Sequence, residues 1–130
     1  MASNRVVARM LDGRTIKGST GDFVPGRDVF HVHTLAGETV PIRPAELKAV
    51  FFVRDHAGNP EHDESNEFED GARIHGRKIR VTFNDGETLV GSTQGYAPDR
   101  PGFFIVPADP NSNIERCYVV TASTREVQLL

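Results

Sequence analysis

DGETLVGSTQGYAPDRPGFF (residues 85–104) has a blurred counterpart near the start of the chain, DGRTIKGSTGDFVPGRDVFH (residues 12–31). Setting Asp12-Gly13 on Asp85-Gly86 aligns Gly18-Ser19-Thr20 with Gly91-Ser92-Thr93, Pro25 with Pro98, Arg27 with Arg100 and Phe30 with Phe103, without a gap. Apolar parity agrees, since Val6, Ala8 and Met10 match Ile79, Val81 and Phe83 at every second position, as a half-buried strand requires. After one insertion in the second copy, PIRPAELKAVFFV (41–53) answers YVVTASTREVQLL (118–130). The chain writes one unit of roughly fifty residues twice, a small domain by the usual size rules.

Each copy reads as five strands. A first strand (about 5–11, or 78–84) meets an Asp-Gly turn, a strong hairpin signal because both residues tolerate positive φ. A second strand follows (about 14–20, or 87–94), then a third loop around Pro25 or Pro98. The third strand carries Phe30 and Val32, or Phe103 and Ile105, and a fourth short strand comes after it. PAELKA and TASTRE each suggest one helical turn, because Pro suits a first-turn position and Ser or Thr can cap one. A fifth strand, 50–53 or 127–130, ends the copy. The expected fold is all-β: two tandem five-stranded SH3-like or Sm-like barrels, each with a short helical turn before its last strand. The expected division is a first barrel over 1–53, an acidic linker over 54–72 and a second barrel over 73–130.

Composition supports this class. In 130 residues, Gly, Pro, Val and Thr are frequent and long Leu-rich segments are missing, which favours short strands joined by turns. No run of about eighteen apolar residues exists, and MASNRVVARMLDG lacks the apolar core of a signal peptide, so the expectation is a soluble cytoplasmic chain with no membrane segment. The single cysteine, Cys117, excludes an internal disulfide and fits a reducing compartment. The linker holds seven acids against Arg54, a net charge of −6, and the whole chain is −3, leaving +3 for the rest. Nucleic-acid binders need a dense positive stripe to neutralise phosphates, so nucleic acid is a disfavoured partner.

The pattern of a strand, Asp-Gly, a glycine five residues later and an aromatic loop resembles the first motif of Sm-like proteins. That resemblance implies an RNA pocket with Asp and Asn in the third loop and Arg-Gly before the fifth strand. Here DFVPGRD and YAPDRPG have no such Asn, and AELKA and STREV have no Arg-Gly, so the pocket does not carry over. Over nearly the whole chain, LKAVFFVRDHAGN, the acidic stretch and GRKIRVTFNDGETLVGSTQGY resemble a family of small uncharacterised bacterial proteins with tandem small β-barrel repeats, associated with signalling and motility. The resemblance implies that setting and no particular activity.

Where the copies differ, one outward aromatic appears in each. Phe51 stands against Gln128, and Phe104 against His31. An exposed Phe forgoes about 1.5–3 kcal/mol of burial, so Phe51 and Phe104 are expected at an interface, either the seam between barrels or a homodimer contact. The third loops share an aromatic, a proline and an arginine, which makes Phe23, Arg27, Tyr96 and Arg100 the candidate binding residues. A ring supplies area and a guanidinium directional hydrogen bonds, whereas the folding alternative pairs the arginines with Asp22 or Asp99. His31 and His33 share a strand face but lack a third ligand, with His56 and His62 in the linker adding only weak coordination, so no metal site is expected. Cys117 falls at the position of Val40 and reads as a packed small hydrophobe rather than a nucleophile. Arginines four apart, Arg5 with Arg9 and Arg73 with Arg77, match part of a cyclic-dinucleotide clamp without its companion residues. No phosphate loop or nucleophile elbow appears. The expected role is a non-catalytic protein-interaction module without cofactors. The alternatives are an Sm-like RNA binder and a nucleotide second-messenger sensor.

Overall fold

The computed structural model describes residues 4–56, 76–109 and 112–130. The first half holds β1 (Asn4–Met10), β2 (Thr15–Thr20), β3 (Phe30–Thr34), β4 (Thr39–Ile42) and β5 (Leu47–Val53). The second holds β6 (Arg77–Phe83), β7 (Thr88–Thr93), β8 (Gly102–Pro107), β9 (Ile114–Val120) and β10 (Thr124–Leu129). The helical turns expected before the last strands are single 3-10 turns, Pro44–Glu46 and Thr121–Ser123. No helix among the described residues is long and apolar enough to cross a membrane.

Hydrogen bonding runs unbroken through all the strands, in the order β10-β6-β7-β8-β9-β5-β1-β2-β3-β4. Each half therefore orders its strands last, first, second, third, fourth, and β5 joins the halves by antiparallel pairing with β9. Two barrels standing side by side, as the sequence suggested, become at the level of the ladder one open all-β sheet. The physical reason is that β5 and β9 each offer an edge, and an unpaired edge is costly to leave open.

Local chemistry recurs at matching positions. The Asp-Gly turns differ from expectation in one respect: only the glycines, Gly13 (φ +93°) and Gly86 (φ +91°), adopt positive φ. Each closes its turn through its own N–H, Gly13 to Met10 C=O at 3.1 Å and Gly86 to Phe83 C=O at 2.9 Å. The aspartates work through their side chains instead, Asp12 Oδ1 accepting from Arg14 N–H and Asp85 Oδ1 from Glu87 N–H, both at 2.9 Å. In the Gly-Ser-Thr triplets, a Cβ at Gly18 or Gly91 would overlap the carbonyl of His33 or Val106 on the neighbouring strand. The buried threonines reach across the same gap, Thr20 Oγ1 donating to His31 C=O and Thr93 Oγ1 to Phe104 C=O, both at 2.8 Å.

Two cores result. The first gathers Val6, Ala8, Met10, Phe30, Val32, Ile42 and Leu47 with Val50 and Phe52 of β5 and Tyr118 and Val120 of β9. The second gathers Ile79, Val81, Phe83, Leu89, Phe103 and Ile105 with Ala49, Phe51 and Val53 of β5 and Cys117 and Val119 of β9. Alternate residues of one strand point to opposite faces, so the cores lie on opposite faces of the sheet where the halves meet. Paired residues agree: Ala49 with Val119 and Phe51 with Cys117 face the second core, Val50 with Tyr118 the first. Every residue of β5 is buried.

Polar contacts cross the same junction. Lys48, 7% exposed, places Nζ 2.7 Å from Asp85 and 3.3 Å from Glu87, over the Phe83 ring, and Arg9 binds Glu87 at 3.1 Å. The buried Ser123 hydroxyl is 2.8 Å from Lys48 C=O. The end of β5 is tied down as well, Arg54 N–H donating to Asn113 C=O and Asp55 N–H to Asn113 Oδ1. Residues 54–56 of the expected linker thus carry defined contacts, and 57–72 lie outside the described residues.

The glycine contacts yield a prediction. Gly18→Ala and Gly91→Ala each force strand β2 from β3, or β7 from β8, and should each cost about 1–3 kcal/mol, the range for overpacking. Gly21→Ala, with nothing within 4 Å of its added Cβ, should leave the urea midpoint unchanged.

Candidate functional site

The third loops leave the sheet at Thr20 and Thr93. Their tips are matching turns, with Arg27 N–H donating to Val24 C=O at 3.2 Å and Arg100 N–H to Ala97 C=O at 3.1 Å. Pro25 and Pro98 hold the second position, where the ring fixes the φ the turn needs. Gly26 follows Pro25 with φ +90°. The loop aromatics face inward. Phe23 meets Phe30, Phe52, Phe104 and Tyr118 edge-on, with centroids at 4.9–6.2 Å, and Tyr96 meets Phe103 at 4.8 Å. Such pairs add about 0.5–1.5 kcal/mol beyond area burial, so each ring pins its loop to a core. The arginines are left exposed at the tips.

The fold then brings the two tips together. Arg27 and Asp28 from the first half, and Asp99, Arg100 and Pro101 from the second, line one groove of about 610 Å³. Pro44 and Ala45 of one 3-10 turn, Thr121 and Ala122 of the other, and Tyr118 and Val120 of β9 make the rest of the lining mostly apolar. Among the described residues neither Arg27 nor Arg100 forms an ion pair. Pairing of Arg27 with Asp22 does not occur, because Asp22 is engaged elsewhere: it accepts from His31 N–H at 2.9 Å and lies 2.7 Å from His31 Nδ1. Backbone contacts fix the second wall, Thr121 N–H donating to Pro101 C=O and Thr121 Oγ1 to Arg100 C=O, both at 2.9 Å. A Cβ at Gly102 would strike the Tyr118 ring, so glycine there leaves the ring its room. Burial raises the Tyr118 phenol pKa above its ordinary value and keeps it neutral.

The groove combines unpaired cations, two carboxylates and apolar area. The remaining candidates are occupied by the fold. His33 Nδ1 lies 3.0 Å from Thr39 Oγ1, and His56 Nε2 lies 2.6 Å from Gly18 C=O. Among the described residues no three of His, Cys, Asp and Glu are gathered to hold a metal. Cys117 is fully buried and its thiol pKa is pushed far up by desolvation. Of the arginine pairs, Arg5 Nη1 donates to Arg54 C=O at 2.9 Å and Arg9 binds Glu87, while Arg73 lies outside the described residues, as does His62. Phe51 packs in the second core and Phe104 against the first. Arg116 stacks over Phe52 and Phe104 with its guanidinium carbon 4.3 and 4.9 Å from their centroids.

A family model matches residues 2–130, that of a family of unknown function, DUF6982. The chain belongs to that family. No curated protein and no solved structure matches it. The DUF6982 chain also shows what sequence reading missed: Tyr118, Val120 and the two 3-10 turns as groove lining. The only signal for them was Tyr118 standing where the first copy has Pro41, an aromatic on the outward parity of its strand.

Asp22 supplies a pH prediction. Its pKa is lowered, first by the His31 N–H bond and further by the His31 and Thr20 side chains. A depressed carboxylate contributes stability above its unfolded value near 3.8, and that contribution is lost as pH falls through the lower folded value. Asp22→Asn should therefore lower the urea midpoint at pH 7, and the gap from the parent should close as pH drops below 3.8. A gap independent of pH would contradict the assignment.

Proposed function

We propose that this protein is a non-catalytic interaction module that binds an extended segment of a partner protein in the groove between its third loops. The observation that carries the reading is that Arg27 and Arg100, placed at matching positions of the two copies, line a single mostly apolar groove with no ion-pair partner among the described residues. Exposed guanidiniums beside apolar area suit a segment with an acidic side chain or carbonyls flanked by apolar residues, because arginine gives directional hydrogen bonds and the apolar wall gives desolvated contact. The strand order of each half suits a small SH3-like or Sm-like barrel, a scaffold on which such loops act as docking surfaces. The resemblance to bacterial signalling and motility proteins supports an adaptor role in the cytoplasm. The net charge of −3 and the missing Sm-like pocket residues weigh against RNA.

Affinity capture from native cells with the parent chain and with the Arg27→Ala, Arg100→Ala double variant tests this. One partner should bind the parent and be weakened about tenfold or more in the variant, the range of a hot-spot arginine, with the melting temperature unchanged. Equal capture by both proteins would overturn the groove. Tight single-stranded RNA binding that collapses as salt rises would favour the nucleic-acid reading.

A further inference from the structure

Among the described residues the sheet ends in two unpaired edges, β10 and β4, and their backbones differ in what they offer. In β10, Leu130 N–H donates to Lys78 C=O at 3.0 Å and Gln128 sits opposite Arg80. Backbone groups alternate sides along an antiparallel strand, so those of Gln128 face β6, and those of Val127 and Leu129 face outward. In β4, Pro41 sits opposite His31, whose C=O accepts from Thr20 Oγ1 and whose N–H bonds Asp22, both away from β4. Pro41 therefore turns its backbone to the open side, where it has no N–H to give.

The chain contains its own precedent for how these edges meet. Val50 of β5 pairs with Tyr118 of β9, and the repeat places Val127 at the position of Val50 and Pro41 at that of Tyr118. A second copy joining head to tail would set Val127 against Pro41 and leave Val127 C=O without a donor. It would also carry Glu126 and Gln128 to the positions of Ala49 and Phe51, both buried in the second core. Both strands block that growth.

We propose that β10 instead pairs with β10 of a second copy about a two-fold axis. Centred on Gln128, the register sets Val127 against the partner's Leu129 and Leu129 against the partner's Val127, so every outward N–H and C=O of those residues finds a mate. Val127 already packs on the second core, and Leu129 and Leu130, 38% and 52% exposed, continue that apolar edge without opposing like charges. Of the described strands, a closed two-fold pair leaves the proline-blunted β4 edges open, which stops further addition. None of the residues lining the groove at Arg27 and Arg100 belongs to β10.

Sedimentation equilibrium and cross-linking of the full chain test the pairing. Residues opposite each other at a non-hydrogen-bonded antiparallel site have Cα atoms about 4.5 Å apart, within disulfide reach. Gln128→Cys should therefore form a disulfide-linked dimer under oxidised glutathione, while Thr39→Cys on β4 should not. Val127→Pro copies the β4 device and removes an N–H that faces away from β6. It should weaken dimerisation about tenfold or more, as should Leu129→Lys, which keeps the backbone donor and serves if the proline variant fails to fold. A chain monomeric at every concentration, a dimer unaffected by both variants, or cross-linking through Thr39→Cys would each overturn the proposal.

Discussion

The pairing of β5 with β9 is the constraint on which the rest of the structure depends. A strand packed on one side only alternates apolar with polar residues, yet LKAVFFV is buried at every position. It can be so because its two faces serve different cores, Val50 and Phe52 one and Ala49, Phe51 and Val53 the other. CYVV of β9 does the same from the other side. Neither half is closed without a strand of its neighbour, so the hydrophobic contribution that would stabilise two tiny domains is pooled in one molecule.

That pooling also makes the groove. Tyr118 and Val120 belong to the second half's strand but lie in the first half's core, which draws the second third loop over the first. The loop rings are consumed in holding this arrangement, and the guanidiniums are what the loops have left to present. Arg116, stacked on Phe52 and Phe104, shows the same division of labour at the seam, with an aromatic base below and a cation toward solvent.

Much of this was legible in the residues. The gap-free match of DGRTIKGST to DGETLVGST gave the strands, turns and third loops, because hairpin glycines, a buried threonine and period-two apolar residues are local requirements. Phe51 and Phe104, singled out by their odd parity, pack in the second core and against the first. What local pattern does not encode is which edges pair. Pro41, Glu126 and Gln128 bear on which edges stay open only once the strand order is known, so the continuous ladder through β5 and β9 was not legible in the repeat alone. The convergence of Arg27 and Arg100 is a further consequence of that order, invisible to spacing along the chain. The aspartate roles in the hairpins were misjudged for a simpler reason: Asp12 and Asp85 bond through their side chains, which needs no positive φ.

Native-state hydrogen exchange is the most direct measure of whether the junction unites the halves. Amides of β5 and β9 should belong to the slowest-exchanging class together with those of β1 and β6. All should share one opening free energy and one denaturant dependence, the signature of a single cooperative unit. If the strands of one half exchange through a separate, lower-energy opening while the other half stays protected, the shared-core account is wrong.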